Sequence, residues 1–118
     1  MRNRRLQALG RLKQGQMNET EKRYAAILDI KQKAGEVLWY KFEGLKLRLA
    51  DNTFYSPDFF VMTNDYELQV HEVKGSAAIF EDDAKVKVKV AADMYPFKFF
   101  VAFSKPKSKG GGFDMVEY

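Results

Sequence analysis

The stretch between residues 37 and 73 constrains the fold most, because apolar runs and turn-forming residues alternate along it at short intervals. Aromatic and β-branched residues at these intervals are typical of strands. Four strands are predicted, at 37–42, 45–49, 54–62 and 67–73. Glu43-Gly44 predicts a hairpin between the first two, Asp51-Asn52 turns the chain again, and Asn64-Asp65 joins the last two.

A helix is predicted on each side of this stretch. The first spans 19–34, because Asn18 and Glu21 form the pattern of a capping box and Gly35 is a natural stop. The second spans 81–95. Its Lys-Val alternation has the period of a strand, but the acidic residues at its start and its alanines favour a helix.

Two further strands are predicted after the second helix. The apolar run 97–103 is typical of a buried strand, and 113–118 predicts a short closing strand after a loop rich in Lys and Gly. The predicted order is α-β-β-β-β-α-β-β. This order indicates an α/β fold, a central mixed β-sheet flanked by helices.

The chain has 118 residues and no cysteine, which suits one domain and excludes disulfides and thiolate metal sites. No apolar run is long enough to span a bilayer, and no apolar segment follows the basic N-terminus as in a secretion signal. We therefore expect a cytoplasmic protein without a membrane partner.

The net charge of +4 is concentrated in residues 1–17, a basic N-terminal arm without acidic residues, whereas 18–118 form the predicted single domain. The arm contains five basic residues: Arg2, Arg4, Arg5, Arg11 and Lys13. Such an arm suits contacts with phosphate groups, Arg2, Arg4 and Arg5 in particular. A solvated terminus would have the same composition, so the arm alone does not decide between the two.

Two short motifs point to chemistry. Pro57-Asp58 is followed after thirteen residues by Glu72-Val73-Lys74, in which Glu72 and Lys74 share one face of a strand. Either motif alone is usually a turn or a solvated sheet face. Together they would bring two carboxylates to one end of a sheet, where a hard divalent cation binds, with a lysine beside them to stabilise charge on a phosphate.

The hydrophobic pattern selects the strand register that builds this site. If Asp58 faces Glu72, then Phe60 faces Val70, and one apolar face ends in the polar cluster. A shift by one residue would place Asp58 opposite His71 and mix the two faces. The chosen register predicts a loop with an odd number of residues, centred on Asp65.

Pro57-Asp58 with Glu72-Val73-Lys74 resembles the signature of the PD-(D/E)xK nuclease superfamily, which includes restriction enzymes, Holliday-junction resolvases and phage endonucleases. The chain from 18 to 96 also resembles a family of small phage and prophage proteins of unassigned function. That second likeness lies in segments that include Tyr55-Ser56-Pro57-Asp58-Phe59, His71-Glu72-Val73-Lys74-Gly75 and Asp82-Asp83-Ala84-Lys85. The linker 75–80 looks longer than this pattern would suggest.

This resemblance implies a restriction-endonuclease-like fold, a Mg²⁺ or Mn²⁺ cofactor, DNA as substrate and a bacterial host cell. Asp58, Glu72 and Lys74 are the implied catalytic residues, and Asp58 and Glu72 the implied metal ligands. The superfamily often adds an acidic residue from the first helix, which Glu21 matches best. The capping-box role competes for the same carboxylate.

Other residues carry weaker signals. Lys85 and Lys89 lie four residues apart on the second helix and suit contacts with a DNA backbone, although a solvated face explains them equally well. His71, the one histidine, falls on the other face of the strand and is expected to be an ordinary sheet-face histidine. Several aromatic residues are expected in the core rather than as platforms that stack on bases: Tyr24, Trp39, Tyr40 and the aromatic residues of 97–103.

The sequence thus predicts a metal-dependent endonuclease that hydrolyses DNA phosphodiester bonds. Its small size favours selection by DNA structure, for example branched DNA, over reading of a long sequence, and Holliday-junction resolution would require a homodimer. The alternative is a non-catalytic nucleic-acid-binding or assembly module on a nuclease-like fold.

Overall fold

The computed structural model describes residues 15–76 and 82–118. Within these ranges the chain forms two α-helices, seven β-strands and one 3-10 turn at Lys107–Lys109. In chain order the helices and strands are α1 (Glu19–Lys33), β1 (Val37–Phe42), β2 (Leu47–Ala50), β3 (Thr53–Tyr55), β4 (Phe59–Thr63), β5 (Leu68–Lys74), α2 (Asp82–Met94), β6 (Lys98–Ser104) and β7 (Phe113–Glu117). Both predicted helices are confirmed to within two residues at each end.

The main sheet has five strands in the order β1-β4-β5-β6-β7. β5 and β6 are parallel and α2 connects them, whereas the other neighbouring pairs are antiparallel. The predicted α/β class with a mixed sheet is therefore confirmed. Neither helix, in the part of the chain that is described, is long and apolar enough to cross a membrane.

The register between β4 and β5 is the predicted one. Phe60 lies opposite Val70 and Met62 opposite Leu68. The backbone N–H of Thr63 donates to the carbonyl of Glu67 at 2.9 Å, which closes a three-residue loop centred on Asp65. The apolar pattern was sufficient here because a shift by one residue would have turned every side chain to the other face.

Two predictions about the strands are wrong. Residues 54–62 do not form one strand, because Pro57 interrupts it: a proline has no N–H to give to a sheet. β3 lies before this proline and pairs with β2 in a separate two-stranded sheet, and β4 follows it in the main sheet. The predicted turn at Asp51-Asn52 does join β2 to β3.

The predicted hairpin at Glu43-Gly44 is also absent, since β1 pairs with β4 and not with β2. The physical reason is that the two strands pack their buried side chains into different hydrophobic cores. β1 buries Val37 in the core below α1, whereas β2 buries Leu47 in the core below α2. Glu43 adopts a positive φ of 50°, and its backbone N–H donates to the carbonyl of Asp58 at 2.7 Å.

The sheet is covered by different elements on its two faces. On one face α1 packs Tyr24 and Leu28 against Phe59 and Val61. On the other face α2 and the β2–β3 hairpin pack against β5 and β6. The buried members of that second core are Leu47, Tyr55, Val70, Val88, Ala91, Phe99 and Val101. Because side chains alternate along β5, each face receives every second residue of that strand.

Candidate active site

Asp58 and Glu72 meet at one end of the main sheet. Asp58 directly precedes β4, and Glu72 lies near the end of the antiparallel neighbour β5. The backbone N–H of Val73 donates to Asp58 Oδ2 at 2.8 Å, and the backbone N–H of Asp58 lies 3.4 Å from Glu72 Oε1. These contacts join backbone N–H groups to side-chain carboxylates just beyond the last paired residues, Phe59 and His71, and bring the two carboxylates together.

Lys74 and Tyr55 complete the surroundings of Glu72. Lys74 Nζ lies 3.4 Å from Glu72 Oε2, and the Tyr55 hydroxyl donates to Glu72 Oε1 at 2.8 Å. Each carboxylate oxygen of Glu72 is therefore oriented by a donor. Asp58, Glu72 and Lys74 together are called the acidic site below.

Tyr55 was not foreseen from the sequence. It lies in the segment 54–62, for which the spacing predicts one strand and does not indicate that the chain passes from one sheet to another at Pro57. Its burial and the nearby Glu72 carboxylate raise the pKa of the Tyr55 hydroxyl, so that it stays a neutral hydrogen-bond donor.

The electrostatics of the acidic site oppose full ionisation. Burial, followed by the negative charge of Glu72, raises the pKa of Asp58 well above its usual value. Burial also raises the pKa of Glu72, although Lys74 and Tyr55 act in the opposite direction. One ammonium group thus stands beside a buried carboxylate, Glu72, and a partly buried one, Asp58, and a further cation would relieve their repulsion.

Glu21 fills the capping-box role, whereas its role as a metal ligand stays a prediction. Its Oε1 accepts from the backbone N–H of Asn18 at 2.9 Å, and Asn18 Oδ1 accepts from the Glu21 N–H at 2.8 Å, which is a complete capping box. Its charge and a side-chain hydrogen bond also contribute to the raised pKa of Asp58. The cap therefore places this carboxylate next to the acidic site.

The donor set can be compared with what a divalent cation needs. Among the described residues, no group of three or more His, Cys, Asp or Glu side chains is arranged as a metal site. Asp58 and Glu72 still fit Mg²⁺ or Mn²⁺, because Mg²⁺ is commonly held by one or two carboxylates and keeps several water molecules. Burial raises the pKa values of both carboxyls, and a bound cation would favour their ionised form.

The structure describes only some of the predicted phosphate-binding residues. Lys85 and Lys89 are exposed on α2, and Arg2, Arg4 and Arg5 lie outside the described residues. The base of the arm is placed, however: the N–H of Gly15 donates to Glu43 Oε1 at 2.7 Å, next to the loop that contacts Asp58. Met17, which was assigned to the arm, packs against the core below α1.

His71 lies on the opposite face of β5 and takes no part in the acidic site. The Tyr24 hydroxyl lies 2.6 Å from His71 Nδ1, and Gln69 Oε1 lies 2.8 Å from His71 Nε2. Burial, with a smaller effect of Lys31, lowers the pKa of His71 to about 4. The interpretation as a sheet-face histidine is confirmed.

No family model, no curated protein and no solved structure matches this chain. A functional interpretation therefore depends on the chemistry of the acidic site itself and on the motif that led to it.

Proposed function

We propose that this protein is a metal-dependent endonuclease of the PD-(D/E)xK type, with a restriction-endonuclease-like fold, that hydrolyses DNA phosphodiester bonds. The observation that carries the proposal is the meeting of Asp58, Glu72 and Lys74 at one end of the sheet. Asp58 directly precedes β4 and Glu72 lies in β5, and their carboxylates repel each other, so that packing alone gives no reason to bring them together. A functional site accounts for such an arrangement.

Asp58 and Glu72 would hold the divalent cation, which when bound supplies a Lewis acid and a water of lowered pKa. The backbone N–H of Val73 fixes one Asp58 oxygen, and the Tyr55 hydroxyl fixes one Glu72 oxygen. Both carboxylates are thereby oriented before any ligand arrives, which reduces the reorganisation needed during the reaction.

Lys74 supplies the positive charge of the site. Its side chain is 23% exposed, so its ammonium group lies between the buried Glu72 and solvent. In that position it can orient a water molecule for attack and stabilise the negative charge that develops on the phosphate. Hydrolysis would then break one P–O bond of the backbone and add water across it.

The basic residues suit a DNA substrate that is bound through its phosphate backbone. The exposed Lys85 and Lys89 on α2 and the arginines of the arm would contact phosphates, and such contacts do not read sequence. This supports selection by DNA structure, such as a branch or flap. Resolution of a four-way junction would require two acidic sites and hence a homodimer.

A cleavage panel tests the proposal directly. Linear, nicked, flapped and four-way DNA are incubated with Mg²⁺ or Mn²⁺ and with the parent protein, Asp58→Asn or Lys74→Ala. Both variants are expected to lose activity by about 100-fold or more, the usual effect of removing a group that stabilises the transition state. Binding of DNA, measured separately, is expected to survive.

Asp51→Asn is the matched control, because it makes the same chemical change at an exposed position in the turn between β2 and β3. It is expected to cleave like the parent. If Asp58→Asn also cleaves like the parent, in a preparation free of host nuclease, the enzyme proposal is wrong. The non-catalytic nucleic-acid-binding module then takes its place.

A further inference from the structure

Trp39 and Lys41 of β1 lie on the same face of the sheet as the acidic site. In β1 the side chains of Tyr40 and Phe42 turn towards the core below α1, so that Trp39 and Lys41 turn to the other face. Lys41 lies opposite Phe60, and Trp39 opposite Met62. Because Phe60 follows Asp58 by two residues, it continues the same face away from the acidic site.

Trp39 is open to solvent although it belongs to a sheet. It is 41% exposed and lies on an edge strand of the main sheet. Its ring meets that of Phe60 at 5.9 Å and 89°, and Phe60 in turn contacts Phe97 at 5.3 Å. The indole is thus supported from one side by aromatic neighbours and leaves part of its surface available for a planar ligand.

Positive charge lies between Trp39 and the acidic site. Lys41 is exposed, and its stem packs closely on Gly44, where an added Cβ would approach Lys41 Cγ to 2.8 Å. The lysine is therefore held beside the loop that contacts Asp58. At the same end an open groove of about 250 Å³ is lined by Lys46 and Ser56, and also by Glu43, whose carboxylate accepts from the N–H of Gly15.

The spacing suits a nucleic-acid strand. Met62, the partner of Trp39, lies four residues beyond Asp58, which is about 13 Å along a strand at about 3.3 Å per residue. That length corresponds to about four stacked base steps of 3.4 Å. A backbone that runs from the acidic site past Lys41 would therefore bring a base to Trp39.

We propose that Trp39, Lys41 and Phe60 form a track that binds an unpaired DNA strand next to the scissile phosphate. Trp39 stacks on a base and Lys41 contacts the phosphate backbone. A base within a duplex is already stacked on both sides, so that only an unpaired base can offer its face to the indole. The inference rests on the proposed function and names its substrate class: DNA that is single-stranded beside the cut.

Trp39 is the single tryptophan of the chain, so its intrinsic fluorescence reports on this position alone. The protein of 118 residues is titrated in EDTA, where no metal supports cleavage, with an oligothymidine strand or with a duplex of equal length. Fluorescence anisotropy of labelled DNA gives the affinity in parallel. The single strand is expected to quench the tryptophan to saturation at the concentrations at which it binds, and the duplex to quench it much less.

Variants then test whether the preference for the single strand depends on Trp39 and Lys41. Trp39→Ala is expected to weaken single-strand binding by about 5- to 100-fold, the range for loss of one base stack, with little change for the duplex. Lys41→Ala is expected to weaken binding and to lower the salt slope by about one ion. The control is Tyr66→Ala, which removes a 76% exposed aromatic residue from the turn between β4 and β5 and is expected to bind like the parent.

Two results would overturn the track: unchanged fluorescence while anisotropy shows saturated single-strand binding, or equal weakening of single-strand and duplex binding in Trp39→Ala. If Trp39→Ala does not fold, Trp39→Phe and the parent's quenching decide the matter, because phenylalanine should retain part of the preference. The test is separate from catalysis. Normal cleavage by Asp58→Asn removes the nuclease proposal and leaves the quenching, whereas lost quenching with intact cleavage removes the track alone.

Discussion

Two neighbouring residues of β5, His71 and Glu72, are both buried, but they lie on opposite faces of the sheet and in opposite electrostatic situations. His71 has a partner at each ring nitrogen, and both partners, Tyr24 and Gln69, are neutral. Glu72 shares its surroundings with a second carboxylate, that of Asp58. The first arrangement satisfies a buried polar group, whereas the second brings like charges together.

The directions of the pKa shifts express the same contrast. Burial lowers the pKa of His71, so the imidazole is neutral at neutral pH, and this is the form that burial favours. Burial raises the pKa values of Asp58 and Glu72, so it opposes the ionised form that carboxyl groups usually have at neutral pH. A network that serves stability alone would not need such a conflict, so that the comparison contrasts a region whose polar groups are satisfied with the region of the proposed active site.

The largest expected effect in stability is a pH dependence of opposite sign in the two regions. The pKa of His71 is about 4 in the folded protein and about 6.5 when unfolded, so its stabilisation is present above pH 6.5 and is lost as pH falls towards 4. That loss is on the order of 3 kcal/mol. In His71→Gln, which does not titrate, this loss should disappear. The measurement is urea unfolding in EDTA between pH 4 and 8.

Asp58 should act in the other direction. Its pKa is raised in the folded protein, so the folded state binds the proton more tightly, and stability falls as pH rises above the unfolded value of about 4. Asp58→Asn should therefore gain stability over the parent as pH increases, and Asp51→Asn should follow the parent. Parallel pH profiles of His71→Gln and Asp58→Asn would contradict the contrast between the two regions.

Part of this contrast could be predicted from the sequence. The register of β4 and β5 followed from the apolar residues Phe60, Val70, Met62 and Leu68, because only one register gives a continuous apolar face. That register places Asp58 beside Glu72 and turns His71 away. The capping box could also be predicted, because it depends only on Asn18 and Glu21, which are three residues apart in the sequence.

The tertiary surroundings of the site could not be predicted in the same way. An alternating pattern shows which residues share a face, but it does not show which layer a strand joins. β1 and β2 were therefore paired with each other, and Tyr55 was not connected to Glu72. Trp39 was expected in the core because composition does not distinguish an edge strand from a central one.

A smaller effect on stability tests whether the His71 region is structural. Tyr24→Phe removes the hydroxyl that contacts His71 Nδ1 and leaves a buried nitrogen without a partner, which should lower the free energy of unfolding by about 1–3 kcal/mol. Tyr40→Phe is the matched control on the same face. Its hydroxyl donates to the exposed Asp29 at 2.5 Å, and water can replace it at a cost below about 1 kcal/mol.

Cleavage by Tyr24→Phe, assayed well below its unfolding temperature, should remain within a few-fold of the parent. A variant with parental stability and no activity would instead place the Tyr24–His71 pair in the catalytic machinery. The proposed division of β5 into a structural face and a face with the active site would then be wrong.

The smallest expected effect is the stabilisation of the acidic site by a divalent cation. A ligand that binds only the folded state stabilises it by an amount set by its concentration relative to Kd, about 1.4 kcal/mol at tenfold excess. Mg²⁺ or Mn²⁺ should raise the melting temperature of the parent and of His71→Gln by the same amount. Asp58→Asn, which lacks one of the two charged oxygen ligands, should show little or no shift.

Lys74→Ala makes this last test specific, because it changes the charge of the acidic site in the opposite sense. Its ammonium group lies 3.4 Å from Glu72 Oε2 and competes with a cation for the same carboxylate. Its removal should leave the metal-dependent shift intact or increase it, although cleavage is lost. An equal loss of the shift in Lys74→Ala and Asp58→Asn would mean that the variants disturb the fold at this end of the sheet. A shift that persists in Asp58→Asn would mean that the cation binds elsewhere, and that the repulsion between Asp58 and Glu72 is relieved by protonation alone.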